Sequence, residues 1–118
     1  MTNPQRPARR SLRLPGYDYS QPGAYFFTAV CQDRALLLTS VAVQSVVTEV
    51  WGSIPTRYPA VSLDAFVVMP NHVHGVVIIN ETNGPPTLGH VLGYFKSHAG
   101  RAVNGLRATP GPPVWQRG

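Results

Sequence analysis

Val67-Val68-Met69-Pro70-Asn71-His72-Val73-His74-Gly75-Val76-Val77-Ile78-Ile79 sets an apolar run on each side of Pro70-Asn71. Two such runs bounding a pair of turn-forming residues spell a β-hairpin, with strands over 61–69 and 72–79. If the turn has two residues, Met69 faces His72 and Val67 faces His74 across the ladder. Alternate residues of a strand share one face about 7 Å apart, so His72 and His74 project together. Two neutral imidazoles converging beside a turn can hold one divalent metal ion, with positions left open for substrate oxygens. The plainer reading of histidine on an apolar strand is a hydrogen-bonded structural residue; what favours a ligand role is the place of both at the turn end, where a ligand can reach. Asp64 falls on the opposite face by parity, which excludes it as a third ligand unless a bulge intervenes.

Working outward, Ala24 to Cys31 is aromatic and β-branched and reads as a first strand with both faces partly buried, ended by Asp33-Arg34. Val43, Val46, Val47, Val50, Trp51 and Ile54 recur at helical spacing behind Ser40 as N-cap, and Pro55 closes that helix. Thr87 caps a second helix with Leu88, Val91, Leu92, Phe95, Ala99, Ala102 and Val103 on one side. Gly93 and Gly100 weaken it by about 1 kcal/mol each relative to alanine. Its other side shows Lys96, Ser97 and Arg101, and His90 and His98 read as exposed titrating groups. Val114-Trp115-Gln116-Arg117 looks like the start of another strand. The order strand, helix, hairpin, helix, strand predicts an α+β ferredoxin-like sandwich: a four-stranded antiparallel sheet, helices on one face, the last strand incomplete.

The chain has 118 residues, which fits one domain over 23–118 behind an arm over 1–22. Net charge is +5, and Arg6, Arg9, Arg10 and Arg13 all precede the first acidic residue, Asp18. Such an arm suits a polyanion, because each neutralised phosphate releases counterions; plain solubility is the alternative. Lys96 and Arg101 can both reach a backbone phosphate, with a solvated helix face as the alternative. Tyr17, Tyr19, Phe26 and Trp115 could stack unpaired bases, or pack in the core. Cys31 is the only cysteine, so no intrachain disulfide is possible. A reducing, cytoplasmic setting is expected, and no apolar run is long enough for a signal or a membrane span.

The chain resembles the single-tyrosine HUH transposases, in particular their REP-associated branch. The resemblance rests on Arg13-Leu14-Pro15-Gly16-Tyr17-Asp18-Tyr19, Gly23-Ala24-Tyr25-Phe26-Phe27-Thr28, Leu63 to Gly75 with its Met-Pro-Asn-His-Val-His block, Phe95-Lys96-Ser97 and Trp115-Gln116-Arg117, in family order. It implies that His72 and His74 bind magnesium or manganese in an enzyme that nicks and rejoins single-stranded or hairpin DNA. In that chemistry a tyrosine hydroxyl attacks the scissile phosphate, leaving a 5′-phosphotyrosine and a free 3′-hydroxyl. A homodimer is a working form the family suggests. The family tyrosine lies on a helix beyond the Trp-Gln-Arg segment, so the expectation is a chain that carries the metal half of the site, has no catalytic residue of its own and does not cleave. Tyr94 is the remaining candidate nucleophile, although its place beside the apolar stripe suits packing better.

Two rivals to a metal-dependent transposase domain follow from the same residues. One is a non-catalytic DNA-binding remnant that keeps fold and charge but holds no ion. The other is a phosphohydrolase with a histidine nucleophile, which would want a third alternating histidine where Val76 stands.

Overall fold

In the computed structural model, which describes residues 22–80, 86–108 and 113–117, the hairpin forms two of three sheet strands. The strands are β1 (Gly23–Val30), β2 (Val61–Met69) and β3 (His72–Ile79), in the order β1-β3-β2 with both pairings antiparallel. Met69 pairs with His72 and Val67 with His74, as a turn of two residues requires. On the other side of β3, Thr28 pairs with His74 and Val30 with His72. Asn71 is not among the described non-glycine residues of positive φ. The turn thus lacks the left-handed residues whose twist best matches a hairpin. It is held from outside instead, by Cys31 N–H donating to the Asn71 carbonyl and Leu38 N–H to the Pro70 carbonyl, both at 2.9 Å.

Parity divides the sheet into two unlike faces. Tyr25, Phe27, Ala29, Val73, Val77, Ile79 and Val61 are buried under the helices. Phe26, Val67 and Met69 alternate with them and stay 49, 48 and 40 % exposed, so the face carrying His72 and His74 is open. The first strand is therefore fully buried on one face at Tyr25, Phe27 and Ala29, and partly buried on the other at Thr28 and Val30, with Phe26 exposed. A register shift between Leu63 and Phe66 sets Asp64 and Ala65 together against Val76, and both bulged residues are exposed. The bulge that the parity argument had to exclude is present: Leu63 and Phe66, three positions apart, both turn to the helical side.

Helices α1 (Val41–Gly52), α2 (Ile54–Arg57) and α3 (Leu88–Arg107) cover the buried face. The Ser40 hydroxyl caps α1 by accepting from Val43 N–H at 3.1 Å. The helix stops at Gly52, earlier than expected, because Ser53 turns its hydroxyl back to the Val50 carbonyl at 2.7 Å. Pro55 does not close α1; it lies in the first turn of α2, where its missing N–H costs nothing. Thr87 caps α3 as expected, and His90 completes a reciprocal box, its Nδ1 accepting from Thr87 N–H at 3.0 Å. His90 is thus a cap residue as well as an exposed one.

The expected fourth strand is represented by a single bridge. Trp115 pairs with Cys31, Gln32 N–H donates to the Val114 carbonyl at 2.7 Å and Gln116 N–H to the Val30 carbonyl at 2.8 Å. The described sheet accordingly has three strands rather than four, with residues 113–117 along the outer side of β1 where a fourth would add. Trp115 is fixed further by its indole N–H, which donates to the Lys96 carbonyl at 3.1 Å.

The core turns on Gly75, opposite Phe66 and Phe27 in the ladder. A Cβ there would lie 2.8 Å from two atoms of the Trp51 ring and 3.1 Å from Phe27. Trp51 cannot retreat, since it stacks on Phe66 with centroids 4.4 Å apart and is 6 % exposed. Gly75→Ala should cost about 1–3 kcal/mol in urea denaturation. Gly93→Ala, exposed on α3 with nothing within 4 Å of its Cβ, should instead stabilise by up to about 1 kcal/mol.

Candidate functional site

Strand parity puts both imidazoles on the open face, and the hairpin turn brings their rings to a centroid distance of 4.6 Å. Their Nε2 atoms lie 3.0 Å apart. The Nδ1 atoms point away to separate partners: His72 Nδ1 to Asn71 Oδ1 at 2.7 Å, His74 Nδ1 to Thr28 Oγ1 at 3.0 Å. Phe26 stacks on His74 at 5.6 Å and 23°, which limits rotation of that ring. Each imidazole is therefore held at Nδ1 and presents Nε2.

The donor set can be tested against a divalent ion. Two nitrogens bound to one ion at about 2.1 Å and a right angle would stand about 3.0 Å apart, the separation seen here. A ligating histidine usually donates its other ring N–H to an oxygen; His72 Nδ1 has such an acceptor in Asn71 Oδ1, and His74 Nδ1 faces the Thr28 hydroxyl, which can accept as well as donate. Among the described residues, no group of three or more His, Cys, Asp or Glu side chains gathers as a ligand cluster. Asp64, although brought to an exposed position by the bulge, does not join the pair. The residues fit a two-nitrogen site open to water or substrate oxygens.

Burial lowers the pKa of His72, and the charge that His74 can carry lowers it further. The neutral, ligating form is thereby favoured near neutrality.

The other expected site residues are scattered. Tyr94 lies on the helical side, its hydroxyl donating at 2.7 Å to Ser53, whose own hydrogen goes to Val50. The sheet stands between it and the imidazoles. Tyr25 is buried on the helical side and Tyr58 packs edge-on against Tyr94 at 6.0 Å, so no described tyrosine faces the pair. Lys96 donates to the Gln116 carbonyl at 3.1 Å and Arg101 to the Ser97 hydroxyl at 3.0 Å, both on the helical layer. Arg9, Arg10, Arg13, Tyr17 and Tyr19 lie outside the described residues, as does all of the expected arm except Pro22. Sequence reasoning did not single out Thr28; only its ladder position opposite His74 could have pointed to it.

No family model matches the chain. An uncharacterized protein of Haemophilus influenzae is 38% identical over 85 residues, covering 64% of this chain and 47% of the relative. The chain thus spans about half the length of the curated relative it matches. A solved REP-associated tyrosine transposase bound to a REP hairpin superposes with a TM-score of 0.56 at 19% identity, over 93% of this chain and 59% of that one. The two share a fold, an α+β arrangement of antiparallel sheet and helices. No described helix is long and apolar enough to cross a membrane.

A depressed His72 pKa has a testable consequence. The unfolded chain takes up a proton at this residue at higher pH than the folded one, so its contribution to stability is whole above the ordinary value of about 6.5 and is lost as pH falls from there toward the folded midpoint. Proton NMR of the His72 ring should show a midpoint below that of a free histidine. His74→Ala should raise it only part of the way, because burial is the larger cause.

Proposed function

We propose that this chain is a DNA-binding domain of the single-tyrosine HUH transposase kind, acting on single-stranded or hairpin DNA. The observation that carries the reading is the pair of Nε2 atoms 3.0 Å apart on the open sheet face. The shared fold with a hairpin-bound REP-associated transposase supports it. His72 and His74 would hold one magnesium or manganese ion, which supplies positive charge to polarise a scissile phosphate oxygen. Asn71 and Thr28 orient the rings. Phe26, Val67 and Met69 offer a half-exposed apolar border on which an unpaired base can rest.

In the proposed nicking and rejoining reaction the attacking hydroxyl belongs to a tyrosine, and none of the described tyrosines is placed to supply it. Lys96 and Arg101, with Arg9, Arg10 and Arg13, are proposed as phosphate contacts. Because α3 and the imidazoles lie on opposite sides of the sheet, the two roles should separate by mutation. A homodimer in the DNA-bound state is part of the proposal, to be read by sedimentation.

A second reading has its own support. The imidazoles already satisfy each other at 3.0 Å without an ion, which is what a non-catalytic DNA-binding remnant would keep. Calorimetry with manganese decides between them: the wild type should bind and His72→Ala/His74→Ala should not. Equal affinity in the double variant would remove the metal assignment, and hairpin binding indifferent to chelator would favour the remnant. Arg101→Ala should weaken hairpin binding and lower the salt slope by about 1 while leaving manganese affinity unchanged.

A further inference from the structure

We propose that Thr28 is a positioning residue whose hydroxyl pairs with His74 Nδ1 in either tautomer, donating to it while the imidazoles bond each other and accepting from it when a cation takes His74 Nε2. The inference rests on the reading that the paired Nε2 atoms hold a divalent ion. It follows from counting hydrogens along four side chains.

Asn71 Oδ1 only accepts, so its 2.7 Å contact with His72 requires the hydrogen on His72 Nδ1. Neutral His72 is then bare at Nε2. That atom lies 3.0 Å from His74 Nε2, and two bare nitrogens at this distance would set lone pair against lone pair. The hydrogen between them belongs to His74 Nε2. His74 Nδ1 is in turn bare, and it accepts from the Thr28 hydroxyl at 3.0 Å. Donation therefore runs one way, from Thr28 to His74 to His72 to Asn71.

A cation shared by both Nε2 atoms requires the hydrogen on His74 Nε2 to leave. His74 gives that proton to water and takes one at Nδ1, so the ring stays neutral and no proton is gained or lost in sum. Nδ1 then needs an acceptor where it had a donor. A hydroxyl serves as either by rotating about its C–O bond, which an ionised carboxylate or a methyl at this position cannot do. Asn71 has no such reversal to make, since His72 Nδ1 donates to it in both arrangements. The register supports the assignment, because Thr28 is the residue directly opposite His74 on β1.

The test uses the full chain with nitrogen-15 label, at one fixed pH at which the pair is neutral. Without metal, ring-nitrogen spectra of the wild type should show His74 protonated at Nε2 and a hydrogen-bonded, bare Nδ1. Added magnesium should move that proton to Nδ1. Thr28→Val, close in shape, should lose the hydrogen-bonded Nδ1 signature and bind manganese about 10–100-fold more weakly by calorimetry. Thr28→Ser, which restores the hydroxyl, should recover both. A metal-free wild type with its His74 proton on Nδ1, or a Thr28→Val variant with wild-type spectra and affinity, would overturn the proposal. A wild type that shows the stated tautomer but takes up neither ion would refute the cation reading, while the metal-free spectra of the two variants still decide whether the Thr28 hydroxyl bonds His74 Nδ1.

Discussion

The alternation of β3 is the constraint on which the rest depends. Val73, Val77 and Ile79 are fully buried beneath the helices, and Gly75 among them leaves the space that Trp51 fills. With that side fixed by packing, His72 and His74 have no choice but the other, because a strand offers two faces and a slip of one residue would exchange them. Each apolar side chain buried contributes roughly 1.5–3 kcal/mol, so such a slip would expose several at once. Core packing and site geometry are thus one decision, made by the same eight residues.

Turn and neighbouring strand then convert a shared face into a shared point. Parity alone would leave the imidazoles about 7 Å apart along the strand. They meet because Asn71, whose backbone carbonyl is tied to Cys31, draws His72 from one side while Thr28 holds His74 from the other. The anchoring residues come from three different places in the chain: the end of β1, the turn, and β3 itself. This is why the motif's spacing is necessary for the site but not sufficient.

The same reasoning separates what the residues disclose from what they conceal. The hairpin strands were legible at 61–69 and 72–79, and so was the facing of Met69 with His72, since two-residue periodicity and a two-residue turn leave one register. Both helix caps, Ser40 and Thr87, could also be read, being local hydrogen bonds three residues long. The bulge at Asp64-Ala65 could not, because it depends on Phe66 being pulled under Trp51 from another element. The end of α1 before Pro55 was hidden for a similar reason: the stripe carries on through Ile54, which packs equally well from the first turn of α2. Thr28 acquires its role only through the β1–β3 register. Lys96 and Arg101 fall on the layer away from the histidines once the apolar side of α3 is laid on the sheet.

That separation bears on how the pair can act. A surface histidine must surrender rotamer freedom when it is fixed in a complex, about 0.5–1.5 kcal/mol for an immobilised side chain. Here the loss is already taken at folding: Phe26 stacks on one ring, Asn71 and Thr28 hold the two Nδ1 atoms, and each Nε2 holds the other. Under the proposed reading an ion would replace the hydrogen bond between the rings, a contact that is net worth about 0.5–1.5 kcal/mol, and would shift the His74 hydrogen from Nε2 to Nδ1 as the Thr28 hydroxyl turns to accept it.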